Sequence, residues 1–112
     1  MHELGVVIGL FETLRHIKEE QNLIEIKRVV LDVGEMSGIL PDYLSECWKA
    51  AGLETEFEKT TLSLNRIAAV GKCSCSKEFE LIKNSRICPY CHKSDYTVID
   101  GTQFEINHIV AK

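Results

Sequence analysis

Apolar side chains recur every three or four positions at the start of the chain, at Leu4, Val7, Ile8, Phe11, Leu14 and Ile17, while Glu12, Arg15, Lys18 and Glu19 fall off that stripe. This spacing predicts an amphipathic helix to about residue 19, with Gln21-Asn22 suited to its end. Residues 23–33 then read as a strand. Ile24 and Ile26 share one phase and Val29, Leu31 and Val33 the other, which predicts a bulge or a strand covered on both faces. Gly34 and Gly38 bracket a loop, and Pro41-Asp42 opens a second helix with the stripe Leu44, Cys47, Trp48 and Ala51, ended by Gly52.

A charged connection at residues 54–59 leads to a half-buried strand from Thr61 to Ile67, whose residues alternate apolar and polar. Residues 78–81 read as a further short strand, Asp100-Gly101 as a turn, and Phe104, Ile106, His108 and Val110 as one phase of a last strand. The pattern predicts an α+β fold: two helices packed on a small three-stranded mixed sheet, with an inserted zinc-ribbon-like module of short antiparallel strands. Residues 1–70 and 98–112 form the expected body and residues 71–97 the insertion.

Composition narrows the class. With 45% hydrophobic and 27% charged residues, the 112-residue chain suits one soluble globular unit with a modest core. No apolar run approaches the roughly 18 residues of a membrane span. No export signal precedes the first helix, so a reducing cytoplasm is expected, where cysteines serve metals and not disulfides. The net charge of −4 argues against broad nucleic-acid binding. It is uneven: residues 71–97 hold five basic and three acidic side chains, a net +2 that leaves −6 on the rest.

The strongest chemical signal is Cys73-Ser74-Cys75, then twelve residues, then Cys88-Pro89-Tyr90-Cys91. Two close cysteine pairs on facing turns are what a four-thiolate, tetrahedral zinc site needs, and four cysteinates leave no open position for chemistry on the metal. The first pair is spaced by one residue only. Cys47, beside Trp48, is expected as a core thiol, and His92, after Cys91, as a surface histidine. His16 and His108 have no partner at a metal-binding spacing. His2 read alone is a surface residue near a terminus. Its chelating chemistry is nevertheless specific: a terminal amine, the His2 amide nitrogen and the imidazole wrap one ion in fused rings, with Glu3 adding an amide nitrogen or a carboxylate. Nitrogen donors in a plane suit Ni²⁺ or Cu²⁺. No Ser/His/Asp arrangement, phosphate loop or paired acids supports an enzyme. A nucleic-acid-binding zinc ribbon and an adaptor stiffened by zinc stay open on the residues alone.

Taken together, Met1-His2-Glu3, the amphipathic first helix, the strand at residues 29–33 running into Gly34-Glu35, and the late cysteine pairs before a final strand resemble the HypA/HybF hydrogenase nickel-incorporation proteins over essentially the whole chain. The resemblance implies a nickel metallochaperone and not an enzyme. It implies Ni(II) held transiently by the Met1 amine, His2 and Glu3, and structural Zn(II) held by Cys73, Cys75, Cys88 and Cys91. The implied partners are a GTPase of the HypB type and the [NiFe]-hydrogenase large-subunit precursor, with urease maturation proteins for some members and a homodimer among the assembly states. Neither nucleic acid nor membrane belongs to the implied set. The family usually places two residues between its first cysteines, where this chain has only Ser74.

Overall fold

A computed structural model describes residues 2–112. Helix α1, Glu3–Glu20, buries Glu3, Val7, Phe11 and Leu14. Leu4 and Ile8, expected on the buried stripe, instead stand at its edge and are half exposed. Strand β1, Ile26–Gly34, follows, and its Ile26, Val29, Leu31 and Val33 fill the main core. The phase switch seen in the sequence coincides with register shifts against the last strand at Ile26/Arg28 and Val30/Leu31. Helix α2, Pro41–Gly52, contributes Leu44, Cys47 and Trp48 to the same core.

Strand β2, Thr61–Ile67, runs parallel to β1, and α2 makes the crossover that a parallel pair requires. The last strand, β6 (Phe104–Ala111), lies antiparallel on the other side of β1, so β1 is the centre of a three-stranded mixed sheet. The charged connection hides a core residue. Phe57 is 2% exposed, stacks on Phe11 with ring centres 4.7 Å apart, and completes an aromatic group in which Phe11 also meets Trp48 edge-on at 4.8 Å. The Trp48 indole N–H donates to the Thr60 carbonyl and the Thr60 hydroxyl to the Ile26 carbonyl, so the polar atoms of this buried corner are satisfied.

A second three-stranded sheet is wholly antiparallel: β3 (Val70–Cys73) lies between β4 (Glu78–Glu80) and β5 (Tyr96–Asp100). Of these only β4 was visible in the sequence pattern. β3 and β5 are four and five residues long, too short to display alternation, and Gly71 interrupts the first. Ala69, Cys73, Phe79, Leu81 and Cys88 form a small second core, with Tyr96, Val98 and Met36 packed on it.

The two sheets meet at a junction of backbone. A Cβ on Gly34 would overlap the Gly101 carbonyl, and one on Gly101, whose φ is +97°, would overlap Ala69. Glycine is required at both positions to let three chain segments touch. The Met36 N–H donates to the Gly101 carbonyl at 2.8 Å, and the Glu35 carboxylate accepts the Ala69 N–H at 2.7 Å. The resulting molecule is long, 54 × 26 × 16 Å, with a radius of gyration of 17.4 Å. A compact chain of this length would have roughly 13 Å, so the second sheet projects from the body. No helix among the described residues is long and apolar enough to cross a membrane.

Candidate metal centres

The second sheet brings the four late cysteines together. β3 carries Cys73 to one turn, and the segment after β4 returns Cys88 beneath it, so that all four sulfur atoms lie within 4.8 Å of one another. Cys73 Sγ is 3.3 Å from Cys91 Sγ, and Cys75 Sγ is 3.8 Å from Cys88 Sγ. These are far longer than a disulfide bond of about 2 Å. They lie at or a little below the roughly 3.8 Å edge of a tetrahedron whose centre-to-sulfur distance is that of zinc–thiolate, about 2.3 Å. The donor set and its size therefore fit a tetrahedral zinc ion. Among the described residues this is the one cluster of three or more metal-capable side chains.

The two turns are built alike despite their different lengths. In the first, the Cys73 N–H donates to the Lys77 carbonyl and the Ser76 N–H to the Cys73 carbonyl. In the second, the Cys88 N–H donates to the Lys93 carbonyl and the His92 N–H to the Cys88 carbonyl. Ser76 and His92, each directly after the second cysteine of its pair, both have positive φ, 75° and 62°. In each pair the first cysteine is buried and the second is less so, Cys75 being exposed and Cys91 half-buried. The one-residue gap at Ser74 thus shortens the turn by one residue while keeping the same two backbone bonds around it.

The electrostatics of the cluster are those of thiols sharing protons. The backbone N–H of Cys75, with the neighbouring sulfurs, pulls the Cys73 thiol down to about 6. At Cys91 the Lys93 N–H acts in the same direction, but the adjoining Cys73 sulfur and burial outweigh it and push the thiol up to about 12. A metal that takes all four as thiolates must displace protons, so acidification weakens binding.

The terminal candidates lie at the start of α1. Met1 falls outside the described residues. His2 is exposed, immediately precedes the helix, and makes no side-chain capping bond. Its carbonyl accepts the Val6 N–H at 2.9 Å, which anchors the backbone and leaves the imbalance on the donor side: the first amides of a helix have no partner within it. Glu3 is only 1% exposed. Its Oε2 accepts the Leu40 N–H at 2.9 Å, and that bond holds its carboxyl below the ordinary range. Oε1 has no partner among the described residues. The Glu3 side chain is thus turned inward onto the loop before α2, while its amide stays at the helix start. This tie spans 37 positions and carries no sequence signal.

The other singled-out residues lie elsewhere. Cys47 is in the main core. His92 is exposed and outside the sulfur cluster. His16 pairs with Glu20 at 3.0 Å on the surface of α1, and the exposed His108 has its Nδ1 2.7 Å from Asn107 Oδ1.

Comparison with known proteins places this arrangement. The family described as hydrogenase/urease nickel incorporation, metallochaperone, hypA matches residues 1–111. A hydrogenase maturation factor HypA from Trichodesmium erythraeum (strain IMS101) is 32% identical over 110 residues, which cover 97% of this chain and 94% of that protein. The solution structure of the Ni metallochaperone HypA from Helicobacter pylori superposes with a TM-score of 0.67 at 20% identity, covering 99% of this chain and 97% of that one. A second solution structure, of a HypA protein, gives a TM-score of 0.70 at 20% identity, with 100% and 97% covered. At such identity the two structures speak to the fold, which is the same α+β arrangement.

Proposed function

The chain belongs to the HypA family of hydrogenase/urease nickel-incorporation metallochaperones, and from that premise we propose that it carries Ni(II) at Met1-His2-Glu3 and delivers it to the [NiFe]-hydrogenase large-subunit precursor. Family members are not enzymes, and the role is one in hydrogenase maturation. The observation that carries the terminal site is the exposed, uncapped His2 directly before α1, an imidazole followed in the chain by helix-start amides that have no carbonyl partner inside the helix. With the Met1 amine they make an all-nitrogen donor set suited to Ni²⁺. Glu3 contributes through its amide, since its carboxylate is engaged by Leu40.

Residues 1–70 and 98–112 form the nickel-carrying body in this reading, and residues 71–97 a separate zinc module whose sheet reaches beyond those bounds, to Val70 at one end and Asp100 at the other. Zn(II) bound by Cys73, Cys75, Cys88 and Cys91 is structural, because four protein thiolates close the coordination shell. A HypB-type GTPase is the proposed working partner, urease maturation proteins are further clients of the same chemistry, and the cytoplasm is the proposed location. A homodimer is compatible with this role.

Titration of Ni²⁺ into zinc-loaded protein with an unblocked terminal amine tests the site. His2→Ala is expected to abolish the high-affinity step while leaving the unfolding midpoint unchanged, because the His2 side chain makes no structural bond. Equal nickel binding by both proteins would sink the assignment.

A further inference from the structure

Strand β2 is an edge of the body sheet. β1 covers one side of it, and among the described residues no strand covers the other. Its seven residues pair with β1 in one unbroken register, from Arg28 opposite Thr61 to Gly34 opposite Ile67. The strand contains no proline, and its one charged side chain, Arg66, is held 2.8 Å from the Asp42 carboxylate. Proline, a bulge and a free charge are the usual devices that stop an edge from pairing, and β2 has none of them. Its outward N–H and C=O groups are therefore a template for another strand.

A cavity of about 450 Å³ opens beside the start of this strand, against the second half of α2. That volume is within the usual range for a binding pocket. Trp48, Leu53, Phe57 and Leu62 supply its apolar walls, and Leu53 is 62% exposed. Lys49 and Lys59 line it as well. Both are exposed, and among the described residues neither forms a salt bridge. The single acid of the lining, Glu58, accepts the Glu54 N–H at 3.2 Å, so the cavity carries a net positive charge over an apolar floor. It is remote from His2. The Leu40 N–H ties the start of α2 to Glu3, and the cavity lies toward the far end of that helix, whose whole length is roughly 18 Å.

We propose that the β2 edge and this cavity together bind an extended peptide segment of a partner protein. The segment adds to β2 as a further strand, sets an aliphatic or aromatic side chain into the cavity, and brings a carboxylate to Lys49 and Lys59. Backbone pairing supplies affinity in such a mode and the pocket supplies specificity. A free acid with an apolar tail would use the walls and the lysines but leave the strand edge to water, whereas a peptide uses all three. A second copy of this chain meeting edge to edge would present Thr61–Ile67, which has no carboxylate to offer the lysines. A partner held here leaves His2 uncovered.

The test begins with random strand-length peptides displayed on phage and selected on the full, zinc-loaded chain. Synthetic copies are then titrated against the fluorescence of Trp48, the chain's single tryptophan and part of the cavity wall. The selected sequences are expected to lack proline and to place an aliphatic or aromatic residue beside Asp or Glu. Lys49→Glu combined with Lys59→Glu is expected to weaken their binding by about tenfold or more, with the unfolding midpoint and the nickel titration unchanged. Methylating every second backbone nitrogen of the peptide should abolish binding in one phase and spare it in the other, because an added strand turns alternate amides toward its neighbour. Loss in both phases or in neither would overturn the proposal, as would selection of basic peptides or of none. Octanoate binding as tightly as the peptides would show a site for small acids instead. Unchanged peptide affinity in the lysine double variant would equally sink it.

Discussion

At the cysteine cluster, sulfurs converge from two turns that a three-stranded sheet holds in place, and the first cysteine of each turn is buried. At the other end, one exposed imidazole precedes a helix and makes no side-chain capping bond. The first arrangement satisfies every coordination position from one rigid module, which favours retention. The proposed terminal site leaves coordination positions open to water or to another protein, and a cation bound there would sit at the positive end of a helix dipole, which opposes binding unless nearby carboxylates offset it. A carrier needs both kinds of centre: one that shapes the protein and keeps its ion, and one that holds its ion weakly enough to release it.

If this contrast is correct, the largest effect follows from opening the closed centre. Cys88→Ser removes a sulfur that is wholly buried in a core of only five buried residues. It is expected to lose stoichiometric zinc and to unfold the second sheet, while the main core, which shares no buried residue with it, stays folded. Amide hydrogen exchange would show rapid exchange confined to residues 70–100. Zinc retained at one equivalent would refute the ligand set, and collapse of the whole chain would refute the independence of the two cores.

The next effect tests the junction that joins the centres. Gly101→Ala places a Cβ on a residue with φ of +97° and against Ala69, at an expected cost of about 2–4 kcal/mol in urea unfolding of the zinc-loaded protein. Gly5→Ala, in open space on α1, serves as the control and should not destabilise. Equal behaviour of the two variants would mean that the close contact of the three segments does not hold the module.

Much of this division was legible before any coordinates. The helices and the body strands declare themselves through periods of 3.6 and 2, and the four cysteines through their spacing, because those signals arise within a few residues. What was hidden depends on distant partners or on brevity. β3 and β5 are too short for a period to show. Phe57 sits among Glu54, Glu56, Glu58 and Lys59 and reads as surface until its ring is seen against Phe11. Leu4 and Ile8 keep the helical spacing but overhang the buried stripe. The terminal histidine carries little weight when read alone, despite its chelating chemistry, and gains it from the family resemblance.

Glu3 gives the contrast a pH signature. Its hydrogen bond from Leu40 lowers the folded-state pKa from about 4.5, so its contribution to stability is present above the unfolded value and is lost as pH falls through the folded one. Glu3→Gln should therefore be less stable than wild type near neutrality, with the gap closing below about pH 4.5. Urea unfolding of both proteins across pH, followed through Trp48 fluorescence to report the body alone, checks this. A gap that stays constant with pH would show that the carboxylate charge contributes nothing.

The smallest effect probes the two turns against each other. Ser76 and His92 occupy equivalent places, each with a left-handed backbone that costs a residue with a Cβ about 1–2 kcal/mol. Glycine removes that cost and adds roughly 0.5–1 kcal/mol of unfolded-state entropy to be lost, so Ser76→Gly should gain at most about 1.5 kcal/mol. His92→Gly should gain the same if its imidazole is only a surface group. The difference between the two gains isolates the side chain, because the backbone change is shared. A zinc-loaded His92→Gly protein that is less stable than Ser76→Gly by more than this, with faster zinc loss to a chelator, would show that the imidazole supports the sulfur cluster, and the shorter first turn would then be the less dependent of the two.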